Sequence, residues 1–241
     1  VKKLESTIAN ALKVIDADLY VVLTGCIPEI VGDDVADVVS KFSDAEKPVV
    51  FAPTAGFKGN NYKGHEQVVE AIVTQYLKKS DDKQKGLVNI WADVPYQDLF
   101  WLGNIRELEN LLTEIGLTPN TIFGYQRGIE NINKIPHAEF NLLVSPWVGL
   151  KNMKTMEKTL GIPYLHYPVL PVGATETGKF LREVGKFANI DEGKVEAVIK
   201  KHEDYFYYLI SRYADLFLEN RVINKQFSVV ADAQYSLAIT K

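Results

Sequence analysis

Soft and imidazole ligands are scarce in this 241-residue chain, which has one cysteine, two methionines and four histidines. The lone Cys26 excludes an internal disulfide framework, and it cannot hold a metal cluster without ligands from elsewhere. His65, His137, His166 and His202 are scattered, with no pair at metal-ligand spacing on one helix face, and read as surface or core-edge residues. Excess positive charge is also missing. Lysine and arginine total 27 against 31 acidic residues, a net charge of -4, so nucleic acid is not an expected partner. The longest apolar runs, such as YVVLTG over residues 20–25, fall far short of a membrane span, and no basic, apolar, small-residue leader opens the chain. No membrane partner is expected, and the expected location is cytoplasmic. Neither a G-x-G-x-x-G fingerprint nor a G-x-x-x-x-G-K-[ST] loop occurs, which argues against nucleotide binding. Because residue 1 is valine rather than methionine, the chain reads as the central piece of a longer polypeptide.

What is present is an ordinary apolar fraction of 46%, enough for one large core or two modest ones. Leu4, Ile8, Leu12 and Ile15 recur at helical spacing, and the β-branched run LYVVLT follows, so the opening reads as helix then buried strand. Val35, Val38, Val39 and Phe42 predict a short helix beginning near Asp33 and Asp34. These two residues read as a helix-start cap rather than a catalytic carboxylate pair. KPVVFAP supplies a second strand, and a Gly- and Asn-rich loop leads to an amphipathic helix through Val68, Val69, Ile72 and Tyr76. The polar run KKSDDKQKG over residues 78–86 reads as an exposed linker.

Beyond the linker the rhythm restarts. Strands are expected at VNIWA, NTIFG, FNLLVS and YLHYPV, separated by helices over residues 104–115, around Ile129 and Ile132, and over residues 150–160. The fold class is therefore α/β, with doubly wound parallel sheets and flanking helices. The division expected is residues 1–80 as the later part of a first α/β domain, 87–190 as a second, 191–224 as a long connecting helix and 225–241 as the start of a third. FSVVADAQYSLAITK should open that third domain with a strand and a helix. Tyr205, Phe206, Tyr207 and Tyr208 on the long helix read as packing or a subunit contact rather than an electron relay.

The strongest chemical signal is VLTGCIPEIVGDDV, residues 22–35. It places Cys26 just after a buried strand, at the carboxyl end of a parallel sheet where open α/β folds bind ligands. Taken alone, such a cysteine is better explained as a small buried hydrophobe than as a ligand. T-x-C followed by a glutamate three residues on and then GDDV resembles the nitrogenase component 1 family, and in this version it is most similar to β subunits of vanadium or iron-only nitrogenases. GFKGNNYKG resembles that family's glycine-containing loop, WADVPYQDLFWLGNIRELENLLTEIGL and NLLVSPWVGLKNMKTMEKTLGIPYLHYPV resemble the second domain of β-type chains, and VVADAQYSLAITK resembles the opening of the third.

The resemblance implies repeated Rossmann-like domains and an electron-relaying subunit of the β type. Such a subunit pairs with an α subunit, shares an iron–sulfur P-cluster with it and receives electrons from an iron–sulfur reductase. It also implies Cys26 as the cluster ligand, with Gly25, Gly56, Phe57, Gly59 and Asn60 around it, and no cluster in this piece on its own. Ser145 stands where catalytic α subunits carry a cofactor-holding cysteine, so this chain should not hold the substrate-reducing cofactor, since a hydroxyl is a poor iron ligand beside thiolate. Asn60 replaces a serine found in some molybdenum-type β chains. Two alternatives from the same fold are a cofactor-assembly scaffold and a nitrogenase-like reductase of tetrapyrrole double bonds.

Overall fold

A computed structural model describes residues 2–219 and 225–240. The first block is built on two short parallel strands, β1 (Tyr20–Leu23) and β2 (Val49–Ala52), paired in register from Tyr20↔Val49 to Leu23↔Ala52. β-branched residues favour such strands because they fill a pleated, half-buried surface. Between the strands lie α2 (Cys26–Ile30) and α3 (Val35–Ser40), and α1 (Lys2–Val14) precedes them. Ile8 of α1 packs with Val35, Val38 and Val39 of α3 in a small core. Asp34 caps α3 by accepting the Asp37 amide at 2.9 Å, the role its sequence position predicts. The open side of β2 is closed by a side chain. The Phe51 amide donates to Gln75 Oε1 at 2.9 Å and Gln75 Nε2 donates to the Phe51 carbonyl at 2.8 Å, so one carboxamide stands in for a neighbouring strand.

The larger sheet is fully parallel, with strand order β4 (Thr118–Asn120), β3 (Gln84–Trp91), β5 (Ala138–Val144), β6 (Tyr164–Tyr167). Helices cover both faces, as a parallel sheet requires. On one face α5 (Trp101–Glu114) and α8 (Gly173–Phe187) bury Leu108, Leu111, Leu112, Phe180, Leu181 and Val184 against Val88, Ile90, Phe140 and Leu142. On the other, α7 (Leu150–Leu160) presents Met153, Met156 and Leu160 to Trp91 and Leu143. Val69 of α4 (Asn61–Ala71), and Val73 in the wider turn that extends it, join that same core. The Gly- and Asn-rich loop before α4 is thereby tied to the second sheet. Glu66 adds polar ties, accepting the Gly149 amide on Oε1 at 2.9 Å while its carbonyl accepts Asn152 Nδ2 at 3.0 Å.

Strand alternation turns Asn89 and Asn141 to one face, where they join a buried amide network. Asn89 Nδ2 donates to Asn141 Oδ1 at 2.9 Å, Trp91 Nε1 to the same oxygen at 3.1 Å, and Asn120 Nδ2 to Asn89 Oδ1 at 2.8 Å. α6 (Ile129–Lys134) contributes Asn131, which donates to Asn120 Oδ1 at 3.1 Å.

The elements depart from expectation in several places, among them α8, which forms over a stretch where no helix was expected. The strand expected at NTIFG lies earlier, over Thr118–Asn120, because Asn120 is drawn into the amide network and the chain turns away at Thr121. The exposed linker is shorter, since β3 already begins at Gln84, and Lys83 Nζ donates to the Pro136 carbonyl at 2.6 Å. Residues 225–230 form no strand. Phe227 is 73% and Val230 98% exposed, and a strand without a ladder partner gains nothing from extension. The helix after them does form, as α10 (Ala233–Thr240), and it docks through Tyr235, which donates to Asp98 Oδ1 at 3.2 Å and accepts from Asn104. The long helix forms as α9 (Glu192–Glu219) and carries Tyr205, Tyr207, Tyr208 and Tyr213 exposed, while the expected continuation over residues 220–224 lies outside the described residues. Among the described residues no helix is long and apolar enough to cross a membrane.

Candidate functional site

Cys26 opens α2, directly after the loop that leaves the carboxyl end of β1, and it is exposed. Its sulfur lies 3.4 Å from where a Cβ on Gly56 would sit, so the cysteine loop and the glycine loop meet at this thiol. Gly25 is the N-cap of α2 in extended backbone, and a Cβ there would meet nothing within 4 Å. Phe57, 60% exposed, belongs to a single turn of 3-10 helix over Gly56–Lys58. Gly59 follows, where a Cβ would lie 2.6 Å from Lys63 Cβ, a contact the backbone has to relieve. Asn60 caps α4, its Oδ1 accepting the Lys63 amide at 3.2 Å. Its carboxamide is thus used for the helix start.

Four residues outside the expected set hold the two loops together. Thr54 donates through its amide to Thr24 Oγ1 at 3.2 Å and through its hydroxyl to the Thr24 carbonyl at 3.1 Å. Thr24 donates in turn to Glu29 Oε1, which also accepts the Ala55 amide at 3.4 Å, and Glu29 Oε2 pairs with Lys58 Nζ. The Lys58 and Thr24 hydrogen bonds hold the Glu29 carboxyl below the usual carboxylate range, so it stays ionised. The Cys26–Glu29 spacing, one helical turn, was visible in the motif; the partnership with Lys58 was not, because it joins two loops separated by a strand.

Chemically, the arrangement offers one accessible thiol on a braced loop with an open glycine flank. Among the described residues no group of three histidine, cysteine, aspartate or glutamate side chains could hold a metal ion. Glu29 is committed to Lys58 and Thr24, so the chain supplies one soft ligand. That fits an iron–sulfur cluster only as part of a set completed by ligands from outside these 241 residues.

A second polar region lies at the carboxyl ends of β3 and β5. Asp93, 6% exposed, accepts Asn104 Nδ2 at 2.7 Å, and burial, reinforced by Asp98 and Asp232, pushes its pKa up to about 6. Ser145 follows β5 and is 1% exposed. His65 stacks against Phe123 at 5.3 Å, and burial pushes its pKa down to about 4.

The fold is thus of the doubly wound α/β class, with a lone exposed thiol at the carboxyl edge of a parallel sheet. Similarity to known proteins narrows that class. Residues 1–241 match the family described as nitrogenase component 1 type oxidoreductase, and the chain belongs to that family. Curated relatives include one subunit of the light-independent protochlorophyllide reductase of Angiopteris evecta, 27% identical over 237 residues covering 93% of this chain and 46% of that protein. The corresponding protein of Marchantia polymorpha is 28% identical over 182 residues, covering 72% and 35%. The chain thus spans less than half the length of these relatives. The solved structure of nitrogenase Cp1 at pH 6.5 superposes with a TM-score of 0.70 at 21% identity, covering 90% of this chain and 41% of that one, and supports the α/β fold.

Proposed function

We propose that this chain is part of an electron-relaying subunit of a nitrogenase-like oxidoreductase, in which the Cys26 thiolate is one ligand of an iron–sulfur cluster shared with a partner subunit. The observation that carries this reading is the exposed Cys26 sulfur beside Gly56, on two loops locked together by Thr24, Glu29, Thr54 and Lys58. A ligand held on a braced loop keeps its geometry through electron transfer, and the surrounding hydrogen bonds tune the cluster. The cluster, when bound, supplies a one-electron relay. The chain's own contribution is a fixed thiolate, room at Gly56 for close approach, and an ionised Glu29 that keeps the loops closed. The partners are an α-type subunit and an iron–sulfur reductase.

Two acceptors fit this relay. The cysteine motif resembles nitrogenase β subunits and favours dinitrogen as the substrate of the whole complex. The curated relatives, named for protochlorophyllide reduction and matched across 93% and 72% of the chain, favour a tetrapyrrole double bond. We take the tetrapyrrole reading as the second one. The test is a complete subunit containing this chain, assembled anaerobically with its partner and reductase and offered each substrate separately. Dinitrogen reduction supports the first reading, and reduction of a tetrapyrrole double bond alone supports the second. A cluster-loaded complex that turns over neither, yet donates cofactor to another enzyme, would replace both with the assembly-scaffold reading.

A further inference from the structure

The second sheet changes its direction of growth at β3: the chain adds β4 on one side, then β5 and β6 on the other. Open parallel sheets bind ligands in the crevice that such a reversal leaves outside the carboxyl ends of the two central strands. Here Asp93 follows β3 and Ser145 follows β5, while Asp232 and Gln234, at the start of α10, close the crevice from above. Tyr62, Gln97 and Asp98 add to its polar lining. Among the described residues that line it there is no lysine, arginine or histidine, so three carboxylates share a half-buried space with no cation. Ionised groups held this way need a compensating charge. The Ser145 hydroxyl is an independent sign of a ligand: it is buried, its residue lines the same crevice, and its oxygen has no hydrogen-bond partner. The room, about 30 Å³ for the centre of a water-sized group, suits one small head group rather than a ring system.

We propose that this crevice binds a primary ammonium head group, whose N–H donors are accepted by the carboxylates of Asp93 and Asp232 and by the Ser145 hydroxyl. Asp232 Oδ1 already accepts the Gln234 and Tyr235 amides at 3.0 and 3.2 Å, which fixes its carboxylate in place. The elevated pKa of Asp93 agrees with a site that gains by receiving positive charge. The ammonium site stands independently of any role of Cys26.

The test is carboxyl-carbon NMR of the 241-residue chain titrated with methylammonium chloride, with tetramethylammonium and potassium chloride at matched ionic strength. Methylammonium should saturate and move the Asp93 midpoint down by about one pH unit. Ser145→Ala and Asp232→Asn, checked for folding by circular dichroism, should each raise the half-saturating concentration by about tenfold. Asn at 232 can still accept the two amides, so its effect reports charge rather than loss of the helix start. An unmoved Asp93 midpoint, an equal response to tetramethylammonium or potassium, or unchanged affinity in both variants would overturn the proposal.

Discussion

Replacing Glu66 by alanine should loosen the tie between the loop beside Cys26 and the second sheet. Glu66 is 9% exposed and sits on α4, one turn after the helix begins. Its Oε1 accepts the Gly149 amide at 2.9 Å, just ahead of α7, and its Oε2 receives Lys63 Nζ at 3.1 Å. A hydrogen bond to an ionised group contributes about 1.5–3 kcal/mol when its partner is left buried and unpaired. The Lys63 pair is an i,i+3 contact with the lysine 39% exposed, so it adds about 0.5 kcal/mol or less. The sum is about 2–3 kcal/mol, which for a domain of this size lowers Tm by about 5–10 °C. Glu66→Gln keeps an acceptor for Gly149 and should lose less than half as much. Thermal unfolding followed by far-UV circular dichroism measures both. If Glu66→Ala melts within about 1 °C of the parent, the side-chain tie contributes nothing and the coupling of α4 to α7 rests on Val69, Val73, the Asn152 bond to the Glu66 carbonyl and the Glu70 contacts with Asn152 and Thr155.

Three further outcomes follow from the same geometry. Asp93 has a folded pKa of about 6, above the carboxylate value of an unfolded chain, so the folded state gains protons between about pH 4 and 6, and stability falls as pH rises through that window. In buffer free of ammonium salts, Asp93→Asn should abolish this slope in denaturant melts while keeping an acceptor for Asn104. His65 has a folded pKa of about 4, below its unfolded value, so its contribution is constant above about pH 6.5 and is lost as pH falls toward 4; an imidazole NMR midpoint above 6 would contradict this. The 241-residue chain purified anaerobically without a partner should carry no stoichiometric iron or sulfide, because one thiolate cannot chelate a cluster; visible charge-transfer absorbance in that sample would refute the shared-ligand reading.

Much of the α/β alternation was legible in the sequence, for a physical reason. Strands such as FNLLVS are buried on both faces and stand out as apolar runs, and α7 keeps Met153, Met156 and Leu160 at helical spacing. The short edge strand was misplaced because Asn120 gains its partners from Asn89 and Asn131, and no local pattern records a tertiary amide network. The tail strand failed for the same kind of reason: FSVV has the composition of a strand, but a strand also needs a neighbour. At the candidate site, the cysteine and its glycine loop could be read from the motif, and the structure brings Cys26 and Gly56 together. The brace through Thr24, Thr54 and Lys58 could not, since threonine and lysine are common in loops and their meaning here comes only from the parallel pairing of β1 with β2. The acidic crevice was likewise invisible, because Asp93, Asp98 and Asp232 meet only when α10 docks on the second sheet.

The most direct test of the central claim is the iron and sulfide content, with the low-temperature electron paramagnetic resonance spectrum, of a complete subunit carrying Cys26→Ala, assembled anaerobically with its partner. Loss or alteration of the shared cluster, with the complex still assembled and Glu29→Gln showing a milder change, is the predicted result. A native cluster spectrum and full iron content in Cys26→Ala would show that this thiol ligates nothing and that the exposed sulfur beside Gly56 is a bystander.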